Sequence, residues 1–323
     1  MSRILPPRSR ILSSKSGVLS PRTSWLVLAS TGLALSVALT GCASGSAPAG
    51  SPEPDPADLD PAAAAALPAE YQKAGVITVA ADIPFPPMEM LDEDQNLTGF
   101  DYDLAQAIGG KLGVVMTMQT QAFDSIIPSL KSGKNDVIMS GMTDTEERRK
   151  SLDFVDYFHS GFSILVLKGN PEGITGVLDL CGQDVAVQKA SAQADILRGY
   201  DDECQAAGTD PINVAELPLE TDVQTAVRSG KAVADVVDSA VASYAAQTAG
   251  DGDMFEVIRD PENPAGYEPL FTGIGVLKED AGLSRALMLA LQSVIDDGSY
   301  AEILDKYELG DYAVDAAAMN GGV

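Results

Sequence analysis

Residues 140–148 read Ser-Gly-Met-Thr-Asp-Thr-Glu-Glu-Arg and gather, in one short stretch, groups suited to holding an anion. An apolar strand over residues 136–139 leads into them, and a helix is expected to begin there. The first N–H groups of a helix lack internal partners and the helix dipole adds partial positive charge, so a carboxylate or phosphate is drawn to that end. After Ser140, Gly141 lets the backbone approach closely and Thr143 adds a hydroxyl. Arg148 supplies a planar fork of donors that meets a carboxylate with two parallel bonds. The same residues also spell a capping box, Thr143 with Glu146, opening a solvated helix in which Glu146 and Lys150 pair. On this stretch alone both readings stand.

Other chemistries are poorly supplied. His159 is the single histidine and the cysteines are Cys42, Cys181 and Cys204, so transition-metal sites and Ser-His or Cys-His catalysis lack ligands and bases. Gly-x-Ser-x-Gly, Ser-x-x-Lys and a phosphate-binding Gly-x-x-x-x-Gly-Lys-Ser/Thr loop are absent. Asp92, Asp94, Asn96 and Asp103 fall at calcium-loop spacing, but Leu97 stands where that loop needs glycine, and the stretch is read as a turn. No cofactor and no metal is expected.

Arg3, Arg8, Arg10, Lys15 and Arg22 precede an apolar run over residues 25–39, the pattern of an export segment. It closes on Leu39-Thr40-Gly41-Cys42, which resembles the lipobox of bacterial lipoproteins, with Cys42 becoming the lipidated first residue. An uncut signal anchor is the alternative, but about 15 apolar residues are short against the roughly 20 a bilayer requires. Removing residues 1–41 takes five basic residues and moves the formal charge from −26 to −31. So acidic a chain is a poor partner for nucleic acid or anionic lipid. Export also places Cys181 and Cys204 in an oxidising compartment, where the pair is expected as a disulfide worth roughly 3 to 4 kcal/mol in the chain-entropy model.

Positioning the anion-binding stretch requires a sheet, and the chain supplies one. Residues 42–68 are Ala, Pro, Ser, Gly and Asp with few large apolar side chains and read as a flexible tether. Strands at 76–81, 114–119 and 136–139 then alternate with helices at 100–112 and 123–130, which argues for a parallel α/β sheet. A second alternating set follows: strands at 184–188, near 212 and at 233–237, with helices at 192–197, 221–229 and 239–247. Strands at 255–258 and 273–277 and helices at 282–296 and 299–307 complete the fold, and the last dozen residues read as a tail.

Taken together, the lipobox, the tether, Gly99-Phe100-Asp101-Tyr102-Asp103-Leu104 after a strand, Ile126-Ile127-Pro128-Ser129-Leu130 and the stretch ending at Arg148 resemble family 3 solute-binding proteins of ABC importers. The resemblance runs from about residue 69 to 309. It implies a two-lobed α/β fold of the type II periplasmic-binding-protein kind, each lobe a mainly parallel sheet flanked by helices, with two hinge crossings near residues 158–162 and 269–272. It divides the chain into a signal peptide (1–41), a disordered tether (42–68), lobe 1 (69–160 and 272–310), lobe 2 (161–271) and a tail (311–323). His159 falls in the first crossing, where a titrating ring could bias closure near pH 6 to 7.

By the same resemblance the ligand is an amino acid held between the lobes. Arg148, Thr143, Ser140 and Gly141 correspond to the carboxylate positions and Phe85 and Phe123 to aromatic walls. Asp82 corresponds to an acid touching the ligand's side chain, and Asp238 to the ammonium-binding aspartate, which could equally be a helix N-cap. The family's Gly-Thr-Thr-Gln-like loop reads here Ala190-Ser191-Ala192-Gln193, leaving Ser191 as the hydroxyl. A cleft with Asp82 and Asp238 opposing Arg148 leans toward cationic or amide side chains over acidic ones, unless Lys189 also faces it. The expected partners are that amino acid, an ABC permease with its ATPase, and the membrane through lipid on Cys42 at the outer face of the cell membrane, the protein being a monomer and not an enzyme. A cyclohexadienyl-dehydratase-like enzyme of the same fold, with Glu89 or Glu220 as general acid, and a ligand-sensing protein are the alternatives.

Overall fold

The computed structural model describes residues 54–321. The export segment, Cys42 and the first part of the expected tether lie outside the described residues. Among the described residues no helix is long and apolar enough to cross a membrane.

The tether was expected to reach residue 68, but the chain is structured well before that. Helix α1 (Pro61–Ala66) is capped by Asp60, whose Oδ1 accepts from the N–H groups of Ala62 and Ala63, both at 2.8 Å. Pro61 at the first helical position and the alanine run that follows are strong helix formers. Ala63 and Leu67 are buried. Composition misled here because a helix of small side chains can pack closely without large apolar residues. Helix α2 (Ala69–Ala74) then leads into strand β1 (Val76–Ala81), a hairpin of β2 (Met90–Leu91) and β3 (Leu97–Thr98), helix α3 (Phe100–Leu112), strand β4 (Val115–Thr120), helix α4 (Phe123–Lys131) and strand β5 (Val137–Ile138). The β2–β3 turn uses Asp92 as a cap, its Oδ1 accepting from Asn96 N at 2.8 Å. Glycine is required at residue 99: at φ 122° it opens α3 where any Cβ would lie 2.4 Å from the Met88 carbonyl.

Strand β6 (Leu152–Leu167) is one continuous strand. After it come β7 (Asp184–Gln188), α5 (Ala192–Gly199), α6 (Asp201–Ala206), β8 (Asn213–Leu217), α7 (Glu220–Arg228), β9 (Ala234–Asp238), α8 (Ser239–Thr248), β10 (Phe255–Ile258) and β11 (Tyr267–Leu277). Helices α9 (Ala281–Asp296) and α10 (Ser299–Lys306) and strand β12 (Ala318–Met319) follow. The main sheet runs β4-β1-β5-β11-β6-β9-β7-β8, with β10 and β12 also paired to β6. Around β1 and around β7 the neighbours are parallel; β6 and β11 are antiparallel to theirs. Each half therefore repeats one arrangement, second strand, first strand, third strand. The early part of β6 pairs with β11 from Leu152 to Phe162, and its later part pairs with β9 and β10. His159 lies on this passage with its ring 4.6 Å from that of Phe271.

The expected tail is likewise folded. Ala318 and Met319 pair with Asp156 and Val155 of β6, and helix α1 at the other end of the described chain packs on α9 and α3. Asn320 Oδ1 accepts from Phe154 N at 2.9 Å and its Nδ2 donates to Asp153 Oδ1 at 3.1 Å. Sequence reading missed this because a two-residue strand leaves no periodicity.

Two stability tests follow from these contacts. Asn320→Ala should cost about 1 to 2 kcal/mol in urea unfolding, the usual loss for one side chain making two internal hydrogen bonds. Cys181 and Cys204 are joined across a sequence separation of 23, and replacing both by serine should cost about 3 kcal/mol in the same assay.

Candidate functional site

The C-terminal ends of parallel strands are where loops of an α/β sheet converge and ligands bind. Here the ends of β1, β4 and β5 meet those of β7 and β9 around a cavity lined by Phe85, Phe123, Gly141, Thr143, Arg148 and Gln188, and further by Ser191, Ala192, Gln193, Glu220, Val236, Val237 and Asp238.

The stretch around Arg148 does not form the expected helix. Thr143 instead bridges to Thr272 of β11, and Asp144 N donates to the Phe271 carbonyl at 2.7 Å. Pulled along β11 in this way, the segment starts extended and then makes only a turn at residues 146–147 and a single 3-10 turn at Arg148–Lys150. Neither a helix N-terminus nor the Thr143–Glu146 capping box exists here, and Lys150 pairs with Glu147 rather than Glu146. The helix N-terminus on the cavity belongs to α5 of the other half, where Ala192 and Gln193 line the wall. Ser191 precedes it with a buried Oγ that has no hydrogen-bond partner.

Arg148 is nevertheless aimed at the cavity. Its Nη1 donates to the Thr143 carbonyl at 2.8 Å and its Nη2 to the Ala190 carbonyl at 3.0 Å. The guanidinium lies 5.6 Å from the centre of the Phe123 ring, within cation–π range. Burial lowers its pKa to about 10, with Asp195 and Asp144 opposing the fall, so it stays cationic at neutral pH. Ala190 holds φ 63°, a left-handed conformation in which alanine is strained and glycine is not.

Gly141 is held by Asp101, whose Oδ2 accepts from Gly141 N at 2.8 Å while Oδ1 accepts from Tyr157 OH at 2.7 Å. At φ 52°, Gly141 would place a Cβ 2.9 Å from the Phe85 ring, so this aromatic wall seats directly on a bare backbone. Ser140 lies behind the wall, fully buried, accepting from Asp82 N at 2.9 Å and donating to Glu89. Glu89 is sealed there, and burial first, then the charge of Asp101, raises its pKa well above the usual carboxylate range.

Asp82 was expected on the ligand and is not on the wall. Gln188 Nε2, from β7, donates to its Oδ2 and takes the lining position in front of it. Burial pushes Asp82 up to about 6, against the bond from Gln188. Lys189 does not line the cavity but pairs with Asp124 at 2.8 Å, so it does not oppose a cationic ligand there. Asp238 does line it: Oδ1 caps α8 by accepting from Ala240 N at 2.9 Å, and Oδ2 accepts from Ser160. Capping and cavity lining coexist, and burial pushes this carboxyl up to about 6. Gln188 was not anticipated, although its place at the end of β7 matches that of Asp238 at the end of β9; Glu220 had been considered only as an acid catalyst.

Phe85, Phe123, Gly141, Thr143, Arg148, Ser191 and Asp238 are thus brought to one cavity, with Asp82 and Ser140 one layer behind. An anion can meet Arg148, Thr143 and the α5 terminus, a cation can meet Asp238, and two aromatic rings flank the space between.

Residues 77–310 match the model of the bacterial extracellular solute-binding proteins, family 3. The chain is 33% identical over 268 residues to the arginine-binding protein ArgT of Corynebacterium glutamicum, covering 83% of this chain and 84% of that one. Among solved structures, an ancestral arginine-binding protein bound to glutamine is 36% identical with a TM-score of 0.63, covering 73% of this chain and 98% of the other. The ancestral amino acid-binding protein AncCDT-1, a precursor of cyclohexadienyl dehydratase, is 31% identical with a TM-score of 0.63, covering 74% and 97%. The two-part sheet with its paired crossing strands is the type II periplasmic-binding-protein fold, and the chain belongs to the family 3 bacterial extracellular solute-binding proteins.

Proposed function

We propose that this protein captures an amino acid with a cationic or amide side chain and delivers it to an ABC permease and its ATPase, without chemistry of its own. The observation that carries the reading is the placing, across one cavity, of a guanidinium and a buried aspartate neither of which has an ion-pair partner among the described residues. Arg148, Thr143 and Ser191 take the α-carboxylate, Asp238 the α-ammonium, and Phe85 and Phe123 the side-chain stem. Lobes at residues 69–160 with 272–310 and at 161–271 close about β6 and β11. Contacts of Arg148 with Ala190, Asp82 with Gln188 and Asp124 with Lys189 then join the two sides. The mature protein is a monomer held to the outer face of the membrane by lipid on Cys42. The arginine-binding name of the corynebacterial relative and the glutamine-bound ancestral structure support a cationic or amide ligand.

Calorimetric titration of the purified protein, freed of carried-over ligand by unfolding and refolding, should give one-to-one binding of one or a few amino acids. Arg148→Ala should weaken it by about a hundredfold or more, since it leaves a buried carboxylate unpaired. No binding by any common amino acid, or turnover of prephenate or arogenate, would refute the reading.

The pH dependence has a definite sign. In the ligand-free protein the raised pKa of Asp238 means that the fold holds this proton more tightly than the unfolded chain does. The stability from that group is therefore present below its ordinary value near 3.8 and lost as pH rises through about 6. A ligand ammonium beside the ionised carboxylate restores it. Thermal unfolding with and without ligand should show a larger ligand-induced rise in Tm at pH 8 than at pH 5.

A further inference from the structure

Glu220 opens α7 and reaches the cavity wall, while Asp235 stands on β9 three residues before Asp238. Both are almost completely buried, at 1% and 0% exposure. Gln224 Nε2 donates to Glu220 Oε1 at 3.3 Å. Asp235 feels the charge of Glu220, and no hydrogen-bond donor reaches Glu220 Oε2 or either oxygen of Asp235. Among the described residues no basic side chain forms an ion pair with either.

The groups facing the pair deepen this imbalance. Asp82 adds a repulsive charge, Gln188 is spent on Asp82, Asp238 is another acid on the same wall, and Arg148 is bonded to the Thr143 and Ala190 carbonyls. A carboxyl pair in such a place can keep its protons or receive a cation from outside, because two unscreened charges this close cannot both persist. The unpartnered oxygens are buried, and Glu220 itself lines the ligand cavity.

We propose that the Glu220–Asp235 pair receives the positive charge at the end of the ligand's side chain, selecting guanidinium or ammonium side chains over carboxamides. This rests on the amino-acid reading above and narrows it to basic amino acids. A guanidinium carries several donors in a fixed fork and can satisfy the oxygens that the protein leaves bare. A carboxamide or urea group brings fewer donors and no charge, so the pair would stay protonated beside it. Burial pushes Glu220 up to about 7 and Asp235 well above the carboxylate range, so the incoming cation displaces a proton to the buffer.

The test compares arginine with citrulline, its neutral isostere, by titration calorimetry at pH 7 in buffers of different ionisation enthalpy. The wild type should prefer arginine by about tenfold or more and release protons on binding arginine but not citrulline. Glu220→Gln, and separately Asp235→Asn, should remove most of the arginine preference and the proton release by weakening arginine more than citrulline. Equal loss of both ligands, unchanged arginine preference in both variants, or arginine binding without proton release would overturn the proposal. Preference of the wild type for citrulline or glutamine would overturn it while leaving the amino-acid reading intact; failure to bind any amino acid would remove both.

Discussion

What the rest of the structure answers to is the concentration of desolvated carboxyls at the meeting of the two half-sheets. Asp82, Glu89, Asp101, Glu220, Asp235 and Asp238 are all at or just behind one cavity whose lining includes a single basic side chain, that of Arg148. Water cannot stabilise these charges and the chain does not neutralise them with lysines or arginines. Each is held by a backbone N–H, a hydroxyl, an amide or another carboxyl, and each such bond fixes an element. Asp101 fixes the turn at Gly141, Asp238 fixes the start of α8, and Asp82 ties β1 to β7 through Gln188. The electrostatic deficit and the architecture of the wall are one arrangement.

That arrangement depends on topology. Because β1, β4 and β5 run parallel, as do β7, β8 and β9, their C-terminal ends collect on one side of each half. Strands β6 and β11 pass from one half to the other and bring those sides face to face. Polar side chains follow the strand ends: Asp82 after β1, Ser140 after β5, Gln188 closing β7 and Asp238 closing β9.

Much of this was legible because strand and helix periods are local. The strand at 76–81 and the strand at 184–188 have the expected bounds, and Phe85, Phe123, Arg148 and Asp238 reach the cavity from positions at or beyond strand ends. What failed was settled by long-range contacts. Residues 143–148 look like a helix start by composition, yet pairing of Thr143 and Asp144 with β11 holds the beginning extended and leaves only a short turn at the end. The alanine helix α1 and the strand β12 are too short or too bland to announce themselves, and their partners are far away in sequence. Asp82 carries the right chemistry, but its retreat behind Gln188 depends on an amide 106 residues later.

Both ends of the described chain rest on the same half of the molecule, α1 on α3 and α9, and β12 on the early part of β6. The other half is built from segments between the two passes of β6 and β11 and holds neither end. The first end of the described chain therefore bears on the half carrying Arg148, and the half carrying Asp238 is joined to both ends through β6 and β11.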